Sequence, residues 1–215
     1  ELIEHNNQLE QFAFIAAHNL RAPLVRVLGL ANLIQMGESE EDKRAALEKM
    51  ICAAHDLDQV VKDLNGILNI KRHTGNFAEV NLNESLTRTK RILEKEIEDT
   101  GTRMIHNYSE ADRVYAIAPY VESILYNLIS NAIKYRDPGR APHIAIKTTH
   151  EQEFVCLAVM DNGLGIDLRK YKQNIFSLYK RFHLHVEGMG LGLYLVKTQI
   201  EALGGRVDVK SEPNE

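Results

Sequence analysis

Apolar residues along the first part of the chain recur in two interleaved heptad series: Leu2, Leu9, Ala16, Pro23 and Leu30 form one, and Ala13, Leu20, Val27 and Ile34, preceded by Asn6, form the other. This spacing predicts a helix from about Leu2 to Gln35, roughly 50 Å long at ~1.5 Å per residue, that turns both series toward a seam. Pro23 is expected to bend it locally. Gly37, Glu38 and Ser39 interrupt the pattern. A second helix is expected from about Glu41 to Lys71, with Leu47, Ala54, Val61 and Leu68 on its seam and Met50, Leu57 and Leu64 interleaved. Two helices joined by a short turn cannot cover their own apolar stripe. Pairing two such hairpins into a four-helix bundle would bury it, so a homodimer is expected. The pattern is already present at Leu2 and Leu9, which predicts that the helix continues upstream.

Between Arg72 and Asn76 the periodicity stops, and His73-Thr74-Gly75-Asn76 reads as a hinge, placing a boundary between domains at 1–76 and 77–215. The pattern then becomes mixed. A short strand is expected at about Ala78 to Leu82, followed by a helix from about Glu84 that Asn81 caps, with Glu84 completing a capping box. Further strands are expected near Arg103 to Asn107 and Arg113 to Ile117. A mostly apolar helix with Pro119 in its first turn should run to about Tyr135. Two more strands, near His143 to Thr149 and Phe154 to Met160, precede a last helix from Leu193 to about Leu203, which ends at Gly204-Gly205. A final strand is expected at Arg206 to Ser211.

A chain of 215 residues supports two small domains, each with its own core. The net charge of -4 and the lack of a Lys/Arg-rich run argue against nucleic acid as a partner. No apolar run is long enough to cross a bilayer, and Glu1, Glu4 and His5 interrupt any signal-peptide core. The fragment therefore reads as cytoplasmic and without membrane contact of its own. Cys52 and Cys156 lie far apart in apolar surroundings, where packing is expected in place of chemistry.

On the heptad numbering His18 falls on the face pointing away from the seam, where an imidazole is exposed and, when neutral, nucleophilic. A lone surface histidine is most often only solvated, so its neighbours decide the matter. Phe14-x-x-x-His18-x-Leu20-Arg21-x-Pro23-Leu24 resembles the H box of two-component sensor histidine kinases, in which the histidine accepts a phosphoryl group from ATP. Those kinases usually carry an acid directly after the histidine to draw off its proton. This chain has Asn19, which hydrogen-bonds but is no base. Where many relatives place Thr or Asn four residues on, to position a hydrolytic water, it has Ala22.

Asn127, Asn131 and Lys134 share one stripe of the apolar helix at i, i+4 and i+7. Such a stripe either faces water or meets a ligand, because a buried unpaired amide costs roughly 1 to 3 kcal/mol. Asn127-Leu-x-x-Asn131-Ala-x-Lys134-Tyr135 resembles the N box of the same kinases and of the wider ATPase superfamily that includes gyrase and the ninety-kilodalton heat-shock chaperones. Its hydrolytic members usually place a Glu four residues before the second asparagine. Asn127 stands there, able to hold magnesium against phosphates but unable to deprotonate water, which suits transfer to a histidine over hydrolysis.

Asp161-Asn-Gly163-Leu-Gly165 follows a strand, so a carboxylate and a close-approaching backbone are aimed at one place, although a tight turn would use the same residues. Its counterpart in the kinases accepts a hydrogen bond from the adenine amino group, and the resemblance implies that role for Asp161. Ile175-Phe176-Ser-Leu-Tyr179-Lys180-Arg181-Phe182 resembles the F box, whose aromatic residues anchor a lid and whose basic residues, here Arg181, approach phosphate. The lid runs from about Arg181 to Gly188, and His183 and His185 within it read as solvated. Gly188-Met-Gly190-Leu191-Gly192-Leu193 opens the last helix and leaves backbone N–H groups free to face an anion. It is neither a Rossmann fingerprint nor a Walker motif.

The boxes stand in the order of the histidine kinase core, and the resemblance covers nearly the whole chain. It implies an α+β architecture: a helical hairpin forming a dimeric four-helix bundle, then an α/β two-layer sandwich of the Bergerat type. Implied cofactors are ATP and Mg2+, with Asn127 as metal ligand and Asn131, Lys134, Tyr135, Asp161, Gly163, Gly165, Arg181, Gly188, Gly190, Leu191 and Gly192 around the nucleotide. Implied partners are a second copy of the chain, a response-regulator receiver domain and an upstream sensor domain, and the full-length protein could be membrane-anchored upstream. The implied activity is bacterial-type ATP-dependent autophosphorylation of His18, with Asn19 beside it, and relay to a response-regulator aspartate. A nucleotide-binding signalling scaffold without transfer is the alternative, motivated by Asn19.

Overall fold

The computed structural model describes the backbone of residues 2–36, 39–71, 76–178, 180–183 and 190–213, and their side chains except at 2–16, 18, 19, 56, 59, 62–64 and 66–71. The chain divides into two compact units, Glu1–Asn69 and Ile70–Glu215.

The first unit is built on α1 (Leu2–Met36), with Pro23 inside it, and α2 (Glu40–Lys71). Three acids, Glu40, Glu41 and Asp42, occupy the first turn of α2, where negative charge complements the helix dipole. Ser39 Oγ accepts from Glu41 N at 3.2 Å. On α1 the described residues of the expected seam, Leu20, Pro23, Val27, Leu30 and Ile34, are buried or half-buried. Leu24, Val25, Leu28, Leu33 and Met36 are exposed.

Within this single chain the buried row of α2 lies one residue before the seam expected for a dimeric bundle. Ala46, Ala53 and Val60 are buried, with Met50 and Leu57 half-buried between them, while Leu47, Ala54 and Val61 are exposed. Two adjacent rows satisfy the heptad period equally, and the row bearing two alanines turns inward because small side chains permit the closest packing. Leu68 and Leu64 lie outside the described side chains.

The second unit carries two sheets. β1 (Ala78–Asn81) pairs antiparallel with β3 (Arg113–Ala116). β2 (Arg103–Asn107) runs parallel to β4 (His143–Glu151), which pairs antiparallel with β5 (Phe154–Asp161), giving the order β2-β4-β5. Helices α3 (Leu82–Ile92), α4 (Glu94–Thr100), α5 (Ala118–Lys134) and α7 (Gly192–Ala202) complete it, with a short α6 (Leu168–Tyr171). Val121, Leu125, Ile129 and Ile133 of α5 meet Ile144 and Ile146 of β4 in one core, so a helical layer covers a mixed sheet. This is the expected α/β two-layer fold.

Local chemistry explains the element ends. Asn81 Oδ1 accepts from Glu84 N at 3.1 Å and starts α3. Gly101, at φ 63, ends α4 in the left-handed conformation. Three features depart from the sequence reading. A break at Leu93, which leaves helical geometry at φ -98 and ψ 15 and is 2% exposed in the core, separates α3 from α4. Asp167 Oδ1 accepts from Arg169 N and Lys170 N and caps the unexpected α6. Residues 206–211 form no strand, although Val207 and Val209 are less exposed than Arg206, Asp208 and Lys210. Side chains tie that segment instead: Arg206 pairs with Glu151 at 3.6 Å, and Ser211 Oγ accepts from Ile166 N at 2.8 Å.

Tyr108 is 8% exposed, and burial pushes its phenol from 10.0 up to about 12. Between those values the unfolded chain loses a proton that the folded chain keeps, so the second unit should lose about 2 kcal/mol as pH rises through that window. Denaturant titrations at about pH 9 and about pH 11.5 measure the drop. Tyr108→Phe should reduce it, and an equal drop in that variant would point to another group.

Candidate functional site

The site grows from the polar stripe of α5. Asn127 is buried, Asn131 half-buried and Lys134 exposed, each one helical turn further toward the C-terminal end. Asn127 Nδ2 donates to Ser123 O at 2.9 Å. A backbone carbonyl only accepts, so the amide nitrogen must face it and Oδ1 faces away. A Cβ placed on Gly192 would lie 2.9 Å from that Oδ1 and 3.4 Å from Asn131 Nδ2. The first residue of α7 therefore sits directly against both asparagines, and glycine there leaves room for the amides. Gln199, 3% exposed on α7, donates Nε2 to Ser123 Oγ at 2.9 Å and ties the two helices together.

Leu191, 2% exposed, precedes α7 at the cap position and makes no side-chain hydrogen bond to the helix. The N–H groups of its first turn are thus left for an anion. Gly190 precedes it at φ 68, a conformation costly for other residues. Gly188 and His185 lie outside the described residues.

Asp161 ends β5 and is exposed, and its Oδ1 accepts from Gly163 N at 2.8 Å. One carboxylate oxygen is thereby tied to the turn while the other is free to accept from a ligand. Gly163 is buried, and a Cβ there would fall 2.6 Å from Tyr135 O, so the turn packs backbone to backbone against the end of α5. Leu164 N donates to the same Tyr135 O at 2.9 Å. Gly165, at φ 65, faces the Glu212 carbonyl closely enough to leave no space for a side chain.

Tyr135 stands beside this turn. Burial raises its phenol pKa and the nearby Arg181 charge partly lowers it. Its ring lies 5.7 Å from that of His183. His183 is half-buried and its Nε2 lies 2.8 Å from Gly165 O, which corrects the reading of this histidine as merely solvated. Since a carbonyl is the partner, Nε2 carries the proton. Cys52 is exposed, against the expectation of packing, and Cys156 is half-buried.

His18 and Asn19 lie on α1 in the other unit, and their side chains are outside the described residues. Within the second unit the structure brings together Asn127 and Asn131 with Gly192, and Tyr135 with Gly163 and Arg181, while His183 links Tyr135 to Gly165. Sequence reasoning passed over Ser123, Asp137, Arg140, Asn162 and Gln199, all of which orient site residues. Only the turn-like Asp137-Pro-Gly-Arg140 offered a signal, and a local one.

Comparison with known proteins gives a consistent picture. Residues 117–215 match the family described as histidine kinase-, DNA gyrase B- and HSP90-like ATPase. The chain is 28% identical to cyanobacterial phytochrome A of Nostoc sp. over all of its own length and 28% of that protein's. It is 28% identical to the methanogenesis regulatory histidine kinase FilI of Methanothrix harundinacea over 99% of its own length and 24% of that protein's. The chain thus spans about a quarter of the length of these relatives. Its fold is similar to that of histidine kinase ThkA in complex with response regulator protein TrrA, with a TM-score of 0.68, 21% identity, and coverage of 94% of this chain and 57% of that one.

Proposed function

We propose that the chain, which resembles the catalytic core of two-component histidine kinases, transfers the γ-phosphoryl group of ATP to His18 and passes it on to an aspartate of a response-regulator receiver domain. Residues 1–76 act as the dimerisation and phosphoacceptor domain and 77–215 as the ATP-binding domain. The observation that carries the reading is the seating of Gly192, at the open N-terminus of α7, against Asn127 and Asn131. Phosphates would meet free backbone N–H groups and two amides there.

Asp161 accepts from the adenine amino group, and Gly163 and Gly165 let the ring approach the backbone. Asn131, Lys134 and Tyr135 line the ribose and phosphate side, with Arg181, Gly188, Gly190 and Leu191 around the triphosphate. Asn127 fits Mg2+, since its Oδ1 accepts no hydrogen bond from a described residue and a neutral oxygen suits a hard cation already shared with phosphates. When bound, the ion neutralises charge on the transferring phosphoryl group.

The unprotonated nitrogen of a neutral His18 imidazole attacks the γ-phosphorus, the bond to the β,γ-bridging oxygen breaks, ADP leaves, and the proton on the other nitrogen of the attacking ring passes to solvent or to a neighbouring group. Asn19 orients the ring. The N box lacks a carboxylate at position 127, so water has no base there and hydrolysis is not favoured.

A homodimer is supported by the exposed apolar residues of the first unit, Leu24, Val25, Leu28 and Leu33 on α1 and Leu47, Ile51 and Val61 on α2. The response-regulator partner is supported by the likeness to ThkA, solved with TrrA. The relatives are about four times as long as the part matched, which leaves room for the sensor domain that we propose for the full-length protein. Among the described residues no helix is long and apolar enough to cross a membrane. We place this part of the protein in the cytoplasm, where ATP and receiver domains are found.

Incubation with γ-labelled ATP tests the assignment. Label on the chain supports the kinase, while nucleotide binding without label supports a scaffold. Asn127→Asp is expected to change the magnesium dependence of ADP binding more than its affinity without the metal, because the new charge sits near phosphate. Calorimetry with and without magnesium measures this, and equal effects in both would remove Asn127 as metal ligand.

A further inference from the structure

The loop that follows α5, Tyr135 to Pro142, is fastened to the Asp161 turn by more than backbone contact. Arg140 Nη2 donates to Gly163 O at 3.0 Å. Its Nε lies 3.2 Å from Asp137 Oδ2, in an ion pair whose side chains are only 32% and 28% exposed. Asp137 Oδ1 in turn accepts from Gly139 N at 2.8 Å, so the carboxylate that holds Arg140 is itself held. On the far side of the turn, Asn162 Nδ2 donates to Ala141 O at 2.9 Å and Asn162 Oδ1 accepts from His143 N at 2.8 Å.

Gly163 has no side chain to restrict its rotation, so its orientation rests on its hydrogen bonds and on its packing against Tyr135 O. Its N–H fixes the Asp161 carboxylate and its C=O is fixed by Arg140. A rotation of that residue would turn the Asp161 oxygens away from their direction. Arg140 is therefore placed to control a carboxylate it does not touch. A planar guanidinium does this better than a point charge, since Nε faces the Asp137 carboxylate as an ion pair without a hydrogen bond of its own while Nη2 donates to the carbonyl.

We propose that Arg140, oriented by Asp137, is the positioning residue for the Asp161 turn, and that it thereby governs how strongly the site prefers adenine over guanine nucleotides. This rests on the reading of Asp161 as the contact to the purine. Adenine presents an amino donor at the position where guanine presents a carbonyl, so a correctly aimed carboxylate favours the first and repels the second. A misdirected one discriminates poorly.

The experiment compares ADP and GDP affinities by calorimetry, together with hydrogen exchange at the Gly163 amide in the ligand-free protein. Arg140→Met should lower the ADP preference about tenfold and speed the exchange about tenfold. The lost positive charge affects both nucleotides alike and cancels in the ratio. Arg140→Lys, which keeps the charge and a donor but cannot meet Asp137 and the Gly163 carbonyl in the same fixed geometry, should restore only part of both. Unchanged exchange in Arg140→Met overturns the proposal, as does faster exchange with an unaltered ratio, which would leave Arg140 a purely structural role. A parent protein with no preference for ADP would instead overturn the reading of Asp161 as purine contact, a distinct result because it is seen before any substitution.

Discussion

Asp161→Asn is expected to weaken ADP binding by about 10- to 100-fold while leaving both units folded, since a hydrogen bond to a charged acceptor contributes about 1.5 to 3 kcal/mol. The substitution is informative because of how the carboxylate is held. Oδ1 accepts from Gly163 N at 2.8 Å, and an asparagine oxygen takes over that bond without strain. The amide nitrogen is then forced into the outward place, where it sets a donor against the donor of adenine. The turn stays built while the ligand contact reverses in sign. Calorimetry gives the affinity, and size-exclusion chromatography shows whether the oligomeric state is kept. An unchanged ADP affinity would remove Asp161 from the site.

Much of this architecture is legible from local pattern. The long helices, β1 to β5 and α5 follow from period and end signals, and Asn81 and Pro119 stand where helices start. What local pattern leaves open is decided by neighbours distant in sequence. Residues 206–211 alternate as a strand would, yet whether a segment joins a ladder depends on the edge beside it, and here side chains provide the tether. The α2 row offers two rows of equal period, and only packing chooses between them.

The same division runs through the site. Asn127, Asn131, Asp161 and the glycines form short motifs and are visible in a line of residues. Arg140 lies 23 places from Gly163, and Gln199 lies 76 from Ser123. No spacing rule connects such pairs. They are tertiary complements of the motifs, and they explain why a motif can aim its groups at all: Asn127 is turned by the Ser123 carbonyl, and the Asp161 turn is braced by Arg140 and Asn162.

The other large effect belongs to position 18 and its neighbour. His18→Gln is expected to abolish labelling by γ-labelled ATP while leaving ADP affinity unchanged, because the nucleotide contacts proposed for the second unit do not include this residue. Label that persists in this variant would remove His18 as the acceptor. Asn19 is expected to set the rate. A chain with an amide beside the histidine has no adjacent base, so transfer draws on the imidazole already neutral. The rate should therefore rise with pH as the neutral fraction of His18 grows, and then level off. Asn19→Asp supplies a base and should raise the rate at neutral pH, on the order of 100-fold where proton removal limits it. The carboxylate also holds the imidazolium more tightly, which moves the rise of the profile to higher pH. The two effects separate in a pH–rate series: a higher plateau reports base assistance, and a displaced midpoint reports charge. A variant with the parent's plateau would show that the amide suffices and that positioning with phosphate neutralisation supplies the rate by itself.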